Sequence, residues 1–502
     1  MEIVFVVQPS DQIFHELEQA IVAYSSDLLC LRIKDTGEAA QIIKKFLNDS
    51  FEEEEVEKYF SGDKPDSFKI RLFVLDVESI AHLDVGIFEK MQKMLLNTPL
   101  GDEENPPGFL LTDSTPEDVE MKKFLSPYIR NLIVTPFDPM TLKGFIKAAF
   151  DGNAPISTDL YTHKCSVEIE MLKSVHIKRL TELGFRTLSK REIAVGRKAK
   201  YLGKVFGDPP NHFVFAQCYT NRPQENGLFE SSFSFFGVSQ DHLNAIRKDI
   251  LQASDSYEMA FDKASSSKAQ SILAVVCTDD GLVSNATQYI SERYDSVKVV
   301  HVSSMEEYEK VKSNGDLDGW MLFESVLSED SELHKVYEEV SADKRKKLFI
   351  SSSGFVNSFE KMQALDGFDD HFFYPLDRFY FIRKLRQAFP EWKIKEGQDF
   401  GRKCREGDFE IDTALPIEIH SVSEIHLAFH YYREIRIGDV RRFRFQLPDD
   451  PKQEITLQGV CNYNNKISEG KVDCEFILYG LKELDLRFIR QWMIKTNATK
   501  DN

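Results

Sequence analysis

The chain has 502 residues, 42% of them hydrophobic, and a formal net charge of −19 at pH 7. Its length predicts roughly three to four domains. The acidic balance argues against a protein that wraps nucleic acid or lies on an anionic membrane, because both need clustered Lys and Arg. The amino terminus lacks the basic start of a signal peptide, and no apolar run reaches membrane-helix length, so no membrane insertion is expected. Seven scattered cysteines without a CxxC pair favour reduced thiols and a cytoplasmic location.

Two kinds of segment recur about 240 residues apart, in the order A-B-A-B. The clearest matches are 134–138 with 373–377, 180–185 with 422–427, and Cys218 with Cys461. A period this long indicates duplicated domains and not a solenoid. The predicted domains are 1–150 and 268–390 for module A, and 155–252 and 395–496 for module B.

Module A alternates short apolar strands with helical stretches, which is typical of a parallel sheet covered on both faces. Strands are predicted at 3–7, 70–76, 108–112 and 132–136 in the first copy, and the second copy opens with one at 272–276. The acidic run 52–57 predicts a mobile, solvated segment, because like charges repel on a helix.

Module A resembles a response-regulator receiver domain over its whole length. Asp76 matches the family's phospho-acceptor, Thr112 matches its switch residue, and 135–138 match its Lys-Pro-hydrophobic-Asp signature with threonine in place of lysine. Residues 8–9, Gln-Pro, replace the metal-binding acidic pair. The resemblance implies a doubly wound parallel sheet. The missing metal ligands and lysine predict that phosphoryl transfer is lost, because both neutralise charge in that reaction.

The second copy departs further from the receiver pattern. Glu324 stands at the phospho-acceptor position, Tyr374 at the lysine position, and Cys277-Thr278 at the metal pair, with Asp279 and Asp280 following as partial substitutes. Both copies are therefore predicted to be pseudo-receivers that offer surface and no catalysis.

The last helices of the two A modules, at 140–150 and 378–389, correspond to the elements through which receiver-like folds pair or dock. The second helix carries three aromatic residues, Phe379, Tyr380 and Phe381. These residues either pack on the sheet or face a partner. Oligomerisation through the receiver-like domains is accordingly a possibility.

Module B reads as short strands followed by an amphipathic helix, typical of a small antiparallel β-barrel closed by a terminal helix. The predicted strands include 213–219, 231–236, 454–460 and 472–478, and the helices are 240–252 and 484–494.

Module B resembles a PilZ domain, a β-barrel family that binds cyclic di-GMP through Arg-x-x-x-Arg and Asp/Asn-x-Ser/Ala-x-x-Gly motifs. Residues 191–196 and 433–439 match the family's turn into a strand. The second motif is represented in the first copy by Arg179, Thr181 and Gly184, so arginine replaces the aspartate.

In the second copy the same motif is represented by Ser421, Ser423 and His426, and the basic entry segment contains Arg402 and Arg405. Arginine recognises phosphate bidentately and stacks on guanine, and a carboxylate accepts from the guanine edge. Loss of these groups predicts weakened cyclic di-GMP binding, because unpaired buried donors are costly.

Other chemistry does not stand out. Among the 12 histidines, His420 and His426 would share a strand face, but a third ligand is not evident. Neither a metal nor a resident cofactor is therefore predicted, although cyclic di-GMP is a possible ligand.

The leading hypothesis is a non-catalytic bacterial adaptor or scaffold that binds proteins of a signalling or surface-appendage system. The alternatives are a cyclic di-GMP sensor acting through the C-terminal PilZ-like module, and a phospho-acceptor acting through Asp76.

Overall fold

The computed structural model describes residues 1–498, with the exception of 61–64, 81–83, 104, 115–125, 127, 152–162, 209–211, 253–255, 261–270, 295, 314–316, 344, 393–397 and 405–409. The chain divides into two compact units. Unit 1 comprises Met1–Leu172 with Pro416–Asn502, and unit 2 comprises Lys173–Leu415.

The first part of the chain is α/β. Its strands are β1 (Glu2–Val7), β2 (Leu28–Ile33), β3 (Lys69–Asp76), β4 (Gly108–Asp113) and β5 (Ile129–Val134). Its helices are α1 (Asp11–Tyr24), α2 (Thr36–Leu47), α3 (Glu53–Phe60), α4 (Val77–Ile80), α5 (Gly86–Leu96) and α6 (Pro139–Asp151).

Antiparallel strands follow, then a second α/β stretch. The strands are β6 (His163–Thr181), β7 (Gly184–Ser189), β8 (Lys198–Leu202), β9 (Phe213–Pro223), β10 (Phe229–Phe236), β11 (Ser256–Ala260), β12 (Ser271–Val276), β13 (Val297–Val302), β14 (Leu317–Phe323), β15 (Lys347–Ser352) and β16 (Asp370–Phe373). The helices are α7 (Gln240–Gln252), α8 (Asp280–Arg293), α9 (Met305–Ser313), α10 (His334–Ala342), α11 (Phe359–Ala364) and α12 (Arg378–Ala388).

The last part of the chain is again antiparallel and ends in a helix. Its elements are β17 (Gln398–Lys403), β18 (Glu410–Val422), β19 (His426–Tyr431), β20 (Val440–Leu447), β21 (Asp450–Ser468), β22 (Lys471–Tyr479) and α13 (Glu483–Ala498).

Each unit contains one receiver-like parallel sheet. The strand order is β2-β1-β3-β4-β5 in unit 1 and β13-β12-β14-β15-β16 in unit 2. Buried apolar residues fill β1 and β12, because helices cover both faces of a parallel sheet. This doubly wound order places the carboxyl ends of neighbouring strands at one edge, where such folds carry their sites. The receiver-like α/β prediction is confirmed at this level.

In unit 1, the antiparallel strands run in the order β6-β20-β21-β22-β19-β18, and β18 also pairs with β6. The Cys165 thiol of β6 reaches the carbonyl of Ile419 on β18 at 3.6 Å. The strand order therefore returns to its starting strand. Val460 and Tyr479 from these strands join the core of the parallel-sheet domain, so the two parts of unit 1 share one apolar interior.

In unit 2, the corresponding order is β6-β7-β10-β9-β8-β18, with β17 and β11 added outside β6. Ser174 on β6 bonds to Asp412 on β18 at 3.2 Å. The division between the units falls inside β6 and β18. Each of these long strands therefore contributes one part to the antiparallel strands of unit 1 and the other part to those of unit 2.

The predicted strands and helices were found with small shifts at most ends, although β9 and β21 extend well beyond the predicted strands 213–219 and 454–460. The acidic run 52–57 is mostly exposed, as predicted for a solvated segment. It begins helix α3, because Glu55 pairs with Lys45 and Phe60 is buried at the end of the helix. No helix in the described part of the chain is long and apolar enough to cross a membrane.

Candidate functional site

The carboxyl edge of the unit 1 parallel sheet brings together the residues predicted as phospho-site remnants. Asp76 on β3 and Thr112 on β4 are neighbours in register. The side-chain amide of Gln8, which follows β1, donates to Thr112 Oγ1 at 3.2 Å, and both of these side chains are buried. An amide therefore occupies the position predicted to have lost its metal-binding carboxylates.

Asp76 is engaged within its own loop. Its Oδ2 accepts from the Ser79 amide at 3.1 Å and from the Ser79 hydroxyl at 3.0 Å, so the carboxylate caps the short helix α4. At the lysine position, the Thr135 amide donates to the Asp113 carbonyl at 2.8 Å. Thr135 offers no positive charge for a phosphoryl group beside Asp76.

The unit 2 sheet edge is also satisfied internally. Glu324 Oε1 accepts from the Ser353 amide at 2.9 Å and from its hydroxyl at 2.6 Å. Asp279 caps α8 by accepting from the Gly281 amide at 2.7 Å. The Tyr374 hydroxyl lies over Gly281, where an added Cβ would come within 3.0 Å of it. These groups hold the loops together rather than forming an open phosphate site.

A polar cluster in unit 2 is centred on Arg247 of α7. Its Nε donates to Glu182 at 2.9 Å, and its two terminal nitrogens donate to the two oxygens of Asp377 at 2.9 and 2.7 Å. Arg383 of α12 also bonds to Glu182. Asp377 caps α12 through the Tyr380 amide at 2.9 Å. The arginine therefore ties the start of the last receiver-like helix to the antiparallel strands.

Unit 1 repeats this arrangement around Arg490 of α13. Its Nε donates to Glu424 at 2.6 Å, and its Nη2 donates to Asp138 at 2.9 Å. Asp138 caps α6 by accepting from the amides of Met140 and Thr141, each at 3.1 Å. Each unit thus contains an arginine clamp: Arg490 with Glu424 and Asp138 in unit 1, and Arg247 with Glu182 and Asp377 in unit 2.

The clamps favour the ionised form of their two aspartates. Burial alone would raise the pKa of Asp138, but the hydrogen bonds from Arg490 and from the amides of Thr141 and Met140, together with the Arg490 charge, outweigh burial and lower it. Burial would likewise raise the pKa of Asp377, but the hydrogen bonds from Arg247, the Tyr380 amide and Gln240, together with the Arg247 charge, lower it. Hydrogen bonds to Glu424 and Asp138 raise the pKa of Arg490.

Sequence analysis did not identify the clamps as functional, although their carboxylates lie inside the recognised repeats. Glu182 and Glu424 occupy matching places in 180–185 and 422–427, and Asp138 and Asp377 end the other matched pair. The signal in the sequence that could have indicated the clamps is a carboxylate retained at the same place in both copies of a repeated segment.

Unit 2 has a further buried ion pair beside its clamp. Lys384 Nζ lies 2.5 Å from Asp370 Oδ2 and donates to the Ser234 hydroxyl at 2.7 Å and to the Phe235 carbonyl. Burial lowers the pKa of Lys384 and raises that of Asp370, because it disfavours both charged forms.

The aromatic residues at the start of the same helix divide between packing and surface. Tyr380 and Phe381 are buried, while Phe379 is 50% exposed.

The nucleotide-motif residues of the first antiparallel segment line a cleft of about 200 Å³ in unit 2. Arg179, Thr181 and Gly184 contribute to it, together with Arg186 and the exposed Tyr219. Gly184 is explained by strand packing, because a Cβ there would lie 1.8 Å from the Phe233 carbonyl oxygen.

The basic entry segment also lies in unit 2. Arg402 is on β17, which pairs with β6 so that Gly401 faces Thr181 and Lys403 faces Arg179. Arg402 Nη1 donates to Asp249 of α7 at 3.0 Å. Arg405 lies outside the described residues. The structure therefore places the second copy's entry strand beside the first copy's motif, a pairing that sequence alone did not assign.

In unit 1, the corresponding motif position is filled by its own side chains. Ser423 Oγ lies 2.5 Å from His426 Nδ1 and accepts from the His426 amide at 3.2 Å. Both residues are buried, and Ser421 pairs with Ala428 in the strand register. His426 thus closes the turn at the place of the motif glycine, and its imidazole points to Ser423 instead of a ligand.

Neither a protein-family model nor a curated protein matches the chain.

Proposed function

We propose that the chain is a non-catalytic bacterial adaptor, in which pseudo-receiver domains support PilZ-like barrels and the exposed surface binds protein partners. The observation that carries this proposal is that the carboxylates at both phospho-acceptor positions accept hydrogen bonds from other residues of the same domain. The Asp76 carboxylate accepts a hydrogen bond from the Ser79 amide, and the Glu324 carboxylate accepts one from the Ser353 amide. Thr135 and Tyr374 stand where an active receiver needs a lysine.

The arginine clamps support the same proposal. Receiver-like folds pair or dock through their last helices. Here Asp138 and Asp377, at the starts of those helices, are bonded to arginines of the barrel-terminal helices. Each pseudo-receiver therefore acts as a fixed support for its barrel. The net charge of −19 favours partners that present basic surfaces.

The adaptor proposal is tested by exposing the purified chain to acetyl phosphate and Mg²⁺ and measuring its intact mass. We expect no phosphorylated species. In parallel, tagged wild-type and Asp76→Asn chains are cross-linked in cells and their bound proteins compared. We expect the same partners for both. A phosphate adduct that disappears in Asp76→Asn, or an exchange of partners, would replace this proposal with the phospho-acceptor function.

A cyclic di-GMP sensor is the second candidate, and the cleft in unit 2 favours it. Arg179 and Arg186 supply guanidinium groups, Tyr219 an aromatic face, and β17 a basic strand alongside. Ligand pockets usually measure about 300–1,000 Å³. A cleft of about 200 Å³ therefore holds part of a dinucleotide, with the remainder lying on the surface.

Calorimetric titration of the full chain with cyclic di-GMP tests this second candidate. Saturable binding near about 1 μM, equivalent to about 8 kcal/mol, that is lost in Arg179→Ala but kept in Ser423→Ala would support a sensor in unit 2. Loss in Ser423→Ala instead would move the site to unit 1. Absence of heat and of a thermal shift at about 100 μM ligand would remove the sensor candidate.

A further inference from the structure

Three strands of unit 1 bring two histidines and one aspartate together on their outer side. His420 lies on β18, His430 on β19 and Asp473 on β22, and one donor atom from each lies within 4.8 Å of the others. His420 Nε2 is 2.8 Å from Asp473 Oδ1, and the two imidazole centroids are 4.6 Å apart. None of these residues takes part in the functions proposed above.

The strand register explains this convergence. His430 and Asp473 are direct partners across β19 and β22, so their side chains leave the same face at neighbouring points. His420 lies on β18, on the other side of β19, at an irregularity in the register: Ile419 pairs with Phe429 and Ser421 with Ala428, and His420 is the extra residue between them. Strands rather than loops hold all three side chains, which limits how far their donor atoms can separate.

The donor set has a definite chemical preference. Imidazole nitrogen suits zinc, copper and nickel, and a single carboxylate completes a three-ligand set. Catalytic-type zinc sites use three protein ligands and leave a fourth position for water or another ligand. His420 and Asp473 are about one-third exposed, with side-chain exposures of 35% and 32%. A cation can therefore reach the cluster directly from solvent.

We propose that His420, His430 and Asp473 form a binding site for a divalent transition metal, with zinc as its preferred occupant and the fourth position open. Metal binding replaces the contact between His420 and Asp473 by coordination of both side chains to the ion. The site joins β18, β19 and β22 by coordination bonds and so stabilises this side of unit 1.

The internal repeat shows that the metal site is not a general property of this barrel. The corresponding residues of the first copy are Lys178, Leu188 and Glu230, and Glu230 pairs with Leu188 just as Asp473 pairs with His430. The same strand geometry therefore carries one carboxylate but no imidazole in unit 2. Histidine at two of the three places distinguishes the C-terminal copy.

The site also revises the expectation drawn from sequence. His426 was considered as the companion of His420, but it is buried against Ser423. The companions of His420 come from His430 and Asp473 on adjacent strands. Their pairing depends on strand register, which spacing along the chain did not reveal.

The test uses the untagged full chain, titrated with Zn²⁺ by calorimetry and with Co²⁺ by absorption spectroscopy. We expect about one equivalent of Zn²⁺ to bind, and a visible ligand-field spectrum with Co²⁺ from imidazole and carboxylate ligands. His430→Ala and Asp473→Asn should each weaken binding by at least about tenfold, which is about 1.4 kcal/mol. Unchanged circular dichroism would show that these surface variants are folded.

His15→Ala is the matched control, because His15 is another exposed histidine, 3.6 Å from Glu18. It should leave zinc affinity and the cobalt spectrum unchanged. Equal binding by wild type, His430→Ala and Asp473→Asn, or absence of saturable binding by wild type, would overturn the proposal. The cluster would then be a cross-strand contact between His420 and Asp473.

Discussion

The two receiver-like domains contact their antiparallel strands through the same kind of arginine clamp. They differ in the polar groups that bind the carbonyl of the neighbouring antiparallel strand. In unit 1 the amide of Asn131 donates to the Leu478 carbonyl at 2.9 Å. In unit 2 the corresponding strand residue is Asp370, and its partner Lys384 donates to the Phe235 carbonyl. The repeat therefore keeps the carbonyl acceptor while changing the donor from a neutral amide to a buried ion pair.

This difference has an energetic consequence. A buried ion pair costs more to desolvate than an amide, and losing one partner leaves an uncompensated charge. Unit 2 should consequently tolerate single substitutions at this contact less well than unit 1. Four measurements, from the largest expected effect to the smallest, test this contrast.

Lys384→Met should lower the free energy of unfolding by about 3–5 kcal/mol, because Asp370 remains buried without its partner. The double variant Lys384→Met/Asp370→Asn should recover much of this loss, because the new amide can bond to the Phe235 carbonyl as Asn131 does to Leu478. Urea unfolding followed by circular dichroism measures both effects.

Lys347→Met is the control for that substitution. Lys347 pairs with Asp369 at 2.8 Å, but its side chain is 45% exposed. Its loss should cost less than about 1 kcal/mol, as for other surface pairs. A Lys384→Met effect no larger than this control would show that the buried pair does not stabilise unit 2.

Arg247→Ala should cost about 1.5–3 kcal/mol, in the range for hydrogen bonds to charged groups. Arg490→Ala should cost about 1 kcal/mol or less, because this clamp is more exposed and better solvated. The arginine side chains are 25% and 39% exposed, respectively. Urea unfolding with hydrogen exchange at the starts of α12 and α6 would assign each loss. A larger effect for Arg490→Ala would reverse the proposed difference between the units.

Gly184→Ala should cost about 1–3 kcal/mol through overpacking. Its Cβ would lie 1.8 Å from the backbone oxygen of Phe233, which cannot move without disturbing β10. Gly86→Ala is the control, because its Cβ would be 3.6 Å from Asp84 and free of backbone contact. Thermal unfolding should separate the two variants. Equal melting temperatures would show that strand packing does not require Gly184, and its role as a ligand-motif residue would then be the explanation for a glycine at this position.

The clamps also predict an acid-side loss of stability. The folded-state pKa of Asp377 is lowered, so its stabilisation is complete above the ordinary aspartate pKa of about 3.9 and is lost as pH falls toward the folded value. Urea unfolding between about pH 6 and about pH 3 should therefore show a shallower decline for Asp377→Asn than for wild type. Parallel curves would exclude this carboxylate as a source of the pH dependence.

Much of the local structure could be predicted because it depends on local patterns. The apolar run at 3–7 became β1, and the amphipathic segment 240–252 became α7. The carboxylate Asp76 and the hydroxyl Thr112 meet because parallel strands end at one edge. The acidic run at 52–57 was less predictable, because its helix depends on a distant lysine and on burial of Phe60.

Partner choice between distant segments could not be predicted in this way. Tandem modules would be expected to form units in chain order, but the first receiver-like domain shares a unit with the last antiparallel strands. The entry strand β17 likewise pairs beside Arg179 of the earlier copy. Local propensity and hydrophobic period are the same whichever copy supplies the partner strand, so they cannot decide between them.

The sequence by itself determined the repeated segments, the alternation of strands and helices, and the presence of Gln-Pro at 8–9 and threonine at 135, because these follow from residue type and spacing. Only the tertiary structure decided that Ser79 donates a hydrogen bond to Asp76 and that arginines bind the starts of both final receiver-like helices. It also decided that the side chains of His420, His430 and Asp473 lie together. Such contacts depend on strand register and on which distant segments pair, and these are set by packing of the whole chain.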